Sequence, residues 1–223
     1  MKHQNERRIN FRVSYKVIIT PRQLCDEAMK TLASQAEYRI VEKVDACNFL
    51  SELQWADALM LKEGNIKRED MVGCPNLKVI ARHGVGFDTV DVKSAAELGI
   101  PVVITPGANA RSVAEHTVAM ILALTKNMIV CHNETVRGNW DIRQEFRSFE
   151  FEGKLVGLIG VGNIGRMVAK MCIGLGFQVE AYDPFVPTSK LEEAGYKSCH
   201  TMEEVLSTAD IVSVHVPYNE QTK

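Results

Sequence analysis

From about residue 16 to residue 216, short aliphatic and β-branched runs alternate with stretches whose apolar positions recur every three or four residues. The first half predicts strands at 16–20, 38–41, 56–61, 77–82 and 101–105. Between them lie a helix opening at Pro21, with Leu24, Met29 and Leu32 along one side, and helices at 70–74 and 90–98. Apolar runs of strand length, each followed by a helical stretch, predict a parallel sheet with helices on both faces.

The second half opens differently. Ser112-x-x-Glu115 has the spacing of a capping box and stands at the head of the apolar run 113–124. A helix so apolar predicts burial where two domains or two subunits meet. A polar connection containing Gly138, Asn139 and Trp140 leads into a second alternating series. Its expected elements are a strand at 155–159, helix 164–175, strand 178–182, a helix near 188–194, a short strand at 196–200 and a strand at 210–216. The chain therefore divides into an α/β domain at 1–108 and a second, doubly wound domain at 109–223. Sheets of the second kind usually carry about six strands. Only four precede Lys223, so the chain is expected to be a C-terminally truncated fragment.

Composition narrows the function classes. With 26 basic and 28 acidic residues, the net charge of −2 gives no electrostatic reason to expect nucleic acid or an anionic membrane. The most apolar run, 113–124, is interrupted by Glu115 and His116, short of a membrane span. The first eight residues are charged and lack the apolar stretch of a secretion signal, which predicts a cytoplasmic protein. Six cysteines, at 25, 47, 74, 131, 172 and 199, show no paired spacing; reduced thiols are expected, and no metal site. Cys131 and His132 are neighbours, but adjacent helical residues diverge.

The chemistry is concentrated in Val156-Gly-Leu-Ile-Gly-Val-Gly-Asn-Ile-Gly-Arg166, an apolar strand running into a complete G-x-G-x-x-G. Gly160 permits the tight turn, Gly162 lets a diphosphate approach the backbone, and Gly165 lets the next helix lie close to the sheet. A helix starting near Asn163 presents free N–H groups to an anion. Asp183 ends the next strand 23 positions after Gly160, close to the offset of about 20 at which a carboxylate meets ribose hydroxyls. It is followed by Pro184 and Phe185, with no arginine to neutralise a 2′-phosphate, so the pattern predicts NAD rather than NADP.

Four blocks in order resemble the D-isomer-specific 2-hydroxyacid dehydrogenases. They are Ala81-Arg-His-Gly-Val-Gly-Phe-Asp-Thr-Val-Asp91, Pro106-Gly-Ala-Asn-Ala-Arg-Ser-Val-Ala-Glu115, the segment Gly153 to Gly165, and Ser213-Val-His-Val-Pro217. The resemblance implies a flavodoxin-like substrate domain from the first half and a Rossmann-type NAD domain, incomplete here, from the second. It implies backbone contacts from Asn163 and Ile164 to the pyrophosphate, Asp183 on the adenine-side ribose, and His215, Val216 and Pro217 lining the dinucleotide. Val85 and Gly86 would offer N–H groups to a substrate carboxylate.

Lys62 and Arg82 end predicted strands, where open α/β sheets place ligands, and the resemblance implies two cations there for an anionic substrate. Lysine at the first position gives up the bidentate fork that arginine brings. Among the histidines, His215 is expected to touch cofactor at the end of a buried strand, and His116 to sit in a core or interface. None of His83, His116 and His215 is nominated as catalyst.

The family's catalytic Arg, Glu and His follow the strand that here ends at Pro217, so they are expected beyond Lys223. The reading is an NAD-dependent oxidoreductase acting on a small anionic 2-hydroxy acid, 3-phosphoglycerate-like in preference and homodimeric when full length. This chain alone is expected to be inactive. A non-catalytic NAD-binding or regulatory module is the alternative.

Overall fold

The computed structural model describes residues 14–21, 24–42, 49–145, 148–219 and 221–222. The charged N-terminal octapeptide and Cys47 lie outside them. Two compact units emerge, Met1–Ala108 and Asn109–Lys223.

In the first unit five parallel strands run in the order β2-β1-β3-β4-β5. They are β1 (Tyr15–Thr20), β2 (Ala36–Ile40), β3 (Ala58–Leu61), β4 (Val79–Arg82) and β5 (Val102–Val103). Alternating side chains divide its faces, as the period of two requires. Ile18, Leu59, Leu61 and Ile80 are fully buried in one cluster with Phe49, Leu53, Met71 and Ala95. The last four belong to α2 (Phe49–Trp55), α3 (Arg68–Val72) and α4 (Val92–Glu97). On the other face Val17, Ala58, Met60 and Val79 line a groove of about 800 Å³ together with α1 (Asp26–Ala33), a helix with no buried residue.

The predicted strand positions match the observed ones to within two or three residues. Pro21 does not open a helix: it is buried just after β1, and α1 begins five positions later. Asp26 and Glu27 fill the first turn there, where carboxylates complement the positive end of the helix. Leu24 accordingly lies ahead of the helix. The predicted strand 101–105 shrinks to the two residues of β5, which pair only with β4.

In the second unit four parallel strands run β8-β7-β6-β9, namely β6 (Leu155–Ile159), β7 (Gln178–Tyr182), β8 (Lys197–Ser198) and β9 (Ile211–Val214). The helices are α5 (Ala110–Thr125), α6 (Met128–Val136), α7 (Ile142–Glu145), α8 (Asn163–Gly174), α9 (Thr188–Glu193) and α10 (Met202–Thr208). β6 and β7 coincide with their predicted ranges. Val156, Leu158, Val168, Ala169 and Ala181 form the centre of the core, with Ala114, Val118 and Ile121 of α5 packed against it.

One expectation is corrected here. The capping box at 112–115 does not form: α5 starts at Ala110, Ser112 is already helical, and Glu115 instead pairs with Arg111 Nε at 2.8 Å one turn away. Within the single chain α5 buries one side and leaves Met120 47% and Leu124 75% exposed, which does not bear on burial between subunits. His116 is exposed in the single chain, so it is not a core residue. β9 pairs with β6, and His215 follows it directly. No single helix among the described residues is long and apolar enough to cross a membrane.

Candidate dinucleotide site and anion loop

The glycine loop of the second unit is built by close approaches that side chains would prevent. Gly160 leaves β6 with φ +93°, a left-handed value suited to glycine. A Cβ on it would stand 2.9 Å from the carbonyl of His215 and from Val216 Cγ1, so glycine lets the end of β9 close on the loop. A Cβ on Gly165 would collide with the carbonyl oxygen of Gly160, which is how α8 comes to rest against the strand end. Gly162 is different: a Cβ there would meet nothing within 4 Å. Its α-carbon faces open space, so the backbone there is open to a close approach.

Gly162 caps α8, and no side chain satisfies that end. The N–H groups of the first turn, including those of Asn163 and Ile164, therefore have no intrahelical acceptor. No acidic residue occupies this turn either. Unpaired donors at the positive end of a helix form an anion site.

Asp183 follows β7 directly. Its Oδ2 accepts the N–H of Val161 at 2.8 Å, tying the loop to the neighbouring strand, and its Oδ1 accepts the N–H of Phe185 at 2.9 Å. The carbonyl of Val161 accepts Arg166 Nε at 2.9 Å. His215 sits across the loop, its N–H bonded to Ile159 O and its Nε2 3.0 Å from Ser213 Oγ. Partial burial pushes the imidazole below its ordinary pKa of 6.5, favouring the neutral ring.

Beside the loop is a cavity of about 590 Å³ lined by Gly160, Tyr182, Pro184, Val214 and Val216, and closed on one side by Thr201 to Glu203. Its size and largely apolar wall suit a nucleoside half. Thus Gly160, Gly165, Asp183, His215 and Val216 come together, with Gly162, Asn163 and Ile164 on the open side. Pro217 is exposed, its carbonyl accepting Thr222 Oγ1. The sequence reading missed Thr201–Glu203 and Arg166. Thr201-x-x-Glu204 was the available signal: Thr201 Oγ1 accepts Glu204 N–H at 3.2 Å, and Glu204 Oε2 takes the N–H of His200 at 2.7 Å.

In the first unit the segment after β4 forms a second anion-suited turn. Arg82 Nη1 bonds the carbonyl of His83 at 2.7 Å and that of Leu61 at 3.4 Å, while its Nε is buried without a partner. Gly84 turns at φ +150°, and a Cβ on it would press on Arg82 Nη1 at 3.2 Å. Thr105 holds the Gly84 carbonyl with both its N–H and its hydroxyl, at 3.0 and 3.1 Å. The N–H groups of the exposed Val85 and Gly86 donate to no acceptor among the described residues. Lys62 follows β3, its N–H bonded to Thr20 O at 2.7 Å.

Comparison with known proteins fits this geometry. Residues 118–223 match the model of the D-isomer specific 2-hydroxyacid dehydrogenase, NAD binding domain. The chain is 34% identical over 209 residues to D-3-phosphoglycerate dehydrogenase of Methanocaldococcus jannaschii, covering 93% of this chain and 40% of that protein. It is 34% identical over 199 residues to hydroxypyruvate reductase of Thermotoga maritima, covering 88% and 63%. Among solved structures, D-lactate dehydrogenase of Aquifex aeolicus, complexed with NAD and lactic acid, superposes with a TM-score of 0.78 at 30% identity. That superposition covers 92% of this chain and 62% of the other. The chain thus spans less than two thirds of the length of each.

Proposed function

We propose that this chain, whose residues 118–223 match the NAD binding domain of the D-isomer specific 2-hydroxyacid dehydrogenases, belongs to that family and serves hydride transfer between NAD and a small anionic 2-hydroxy acid. Bound NAD supplies the hydride acceptor. Residues 1–223 seat the cofactor and collect the substrate's negative charge.

The observation that carries this reading is the pairing of an uncapped α8 N-terminus with Asp183 beside an open Gly162. The diphosphate meets the N–H groups of Gly162, Asn163 and Ile164. Asp183 keeps lone pairs beyond its two backbone partners and accepts the adenine-side ribose hydroxyls there. Its charge repels a 2′-phosphate and so selects NAD. Val216 and Pro217 line the dinucleotide, and neutral His215 adds no charge beside it.

The substrate carboxylate is assigned to the N–H pair of Val85 and Gly86, with Lys62 and Arg82 supplying positive potential. Two cations at strand ends favour an acid with a second anionic group, such as 3-phosphoglycerate, over lactate-like acids. The full-length protein is proposed to be a homodimer. Support comes from the apolar side chains left open on α5 and α6, where Leu124, Ile129 and Val136 are 75%, 69% and 73% exposed.

Calorimetric titration of the 223-residue chain tests the core of this reading. NAD is expected to bind, NADP to bind at least tenfold more weakly, and Asp183→Ala to narrow that gap. An unmodified chain indifferent to both dinucleotides overturns it.

A further inference from the structure

Val161 is gripped from both sides by side chains of opposite charge. Its N–H is bonded to Asp183 Oδ2 at 2.8 Å and its carbonyl to Arg166 Nε at 2.9 Å. These groups belong to two successive peptide planes, Gly160–Val161 and Val161–Gly162. In a trans peptide the C=O and the next N–H point in opposite directions. Drawing the Val161 carbonyl toward Arg166 therefore aims the Gly162 N–H the other way. Drawing the Val161 N–H toward Asp183 turns the Gly160 carbonyl away from it, and that oxygen is the one on which Gly165 closes.

The Val161 side chain, 2% exposed, is locked in the core, so its two flanking planes are the remaining freedom of the loop. Gly162 on the far side has no side chain to restrain it. Two bonds to Val161 thus decide where the Gly162 N–H points.

Arg166 is also placed where a cation is otherwise unfavourable, in the first turn of α8 beside the positive end of the helix. Its Nη1 and Nη2 make no hydrogen bond among the described residues. The guanidinium accepts this position because its Nε reaches back to the loop carbonyl.

We propose that Arg166 is a positioning residue for the dinucleotide: through the Val161 carbonyl it aims the Gly162 N–H at the diphosphate. The proposal rests on the glycine loop being the diphosphate site. It predicts that directionality matters as well as charge, because a lysine ammonium lacks the planar fork that places Nε on this carbonyl while leaving the rest of the group outside.

The test compares the full chain with Arg166→Lys and Arg166→Gln, titrated with ADP and with adenosine. Wild-type chain is expected to bind ADP; both variants should bind it about tenfold more weakly, the loss of one charge-assisted hydrogen bond. Adenosine, lacking the diphosphate, should bind all three equally. In the free proteins, the Gly162 amide resonance should shift in both variants, in the lysine variant although its charge is kept. Wild-type affinity for ADP in Arg166→Lys overturns the positioning role in favour of plain charge. Equal weakening toward adenosine overturns it in favour of general damage to the fold. If wild-type chain binds neither ligand, the reading of the site itself fails.

Discussion

The α-carbon of Gly165 faces the carbonyl oxygen of Gly160 so closely that a methyl group cannot be placed between them. Gly162, three residues earlier, has empty space where its own Cβ would stand. The two glycines of one motif therefore carry different loads. Gly165→Ala is expected to destabilise the fold by about 2–3 kcal/mol, the cost of forcing a methyl into a packed contact. Gly162→Ala, at φ −72°, should leave stability within about 0.5 kcal/mol and weaken NAD about tenfold. Denaturant melts with calorimetry on both variants check this, and equal stability losses would contradict it.

Asp57 and Asp210 repeat one device in the two sheets. Asp57, just before β3, accepts the N–H of Lys16 on β1 and the ammonium of Lys78, at 3.0 and 2.8 Å. Asp210, just before β9, accepts the N–H of Leu155 on β6 and the ammonium of Lys154, each at 2.9 Å. The Lys78 bond above all holds the Asp57 carboxyl below its ordinary range; for Asp210 the backbone N–H of Leu155 does most. A depressed carboxyl pKa contributes stability above the unfolded value of about 3.9, and that contribution is lost as pH falls through the folded value. Asp57→Asn and Asp210→Asn should lower the melting temperature at pH 7 and flatten its decline between pH 5 and pH 3. An unchanged acid profile in the double variant would remove these two carboxylates from the acid response.

His215 acts with the opposite proton balance. Burial lowers its pKa, so the unfolded chain takes up the proton first as pH falls below 6.5. Stability is full above that value and declines as pH drops from 6.5 through the folded pKa, by at most about 1.4 kcal/mol per pH unit for one proton. Replacing His215 by Gln should flatten the stability profile between pH 7 and pH 5. Urea melts at half-unit steps measure the slope.

Glu180 is wholly buried on β7, where its carboxylate takes Lys197 Nζ at 2.9 Å and the Thr208 hydroxyl at 2.6 Å. Gly157 on the adjacent strand makes room, since a Cβ there would strike Val205 of α10. The Glu180 carboxylate bonded to Lys197 raises the ammonium's pKa above its ordinary 10.5, so this support is complete below that value and fades as pH rises through the folded one. Lys197→Met leaves a buried carboxylate without its cation, whereas Glu180→Gln removes the charge and keeps the shape. The lysine variant is therefore expected to melt lower than the glutamine one. The reverse order would mean that the ion pair is not what makes the carboxylate tolerable.

The local motif was readable because its geometry is local. Strand, glycine turn and helix from Leu155 to Gly174 need no distant partner to be recognised, and β6 and β7 fall on their expected residues. The start of α5 misled because Ser112-x-x-Glu115 and Asn109 compete for one helix end, and spacing alone does not choose between them. The true capping pattern, Thr201 to Glu204, sits in a polar stretch where no apolar run drew attention to it.

By itself the sequence determined the two α/β halves, the glycine loop and the carboxylate at the end of the next strand, since each follows from periodicity or from what glycine alone permits. Only the tertiary structure decided that Arg166 grips the Val161 carbonyl, that Glu180 is buried with Lys197 and Thr208, and that β9 pairs with β6. Those facts depend on which strands become neighbours, and strand order is set by packing across the whole sheet rather than by any segment within it.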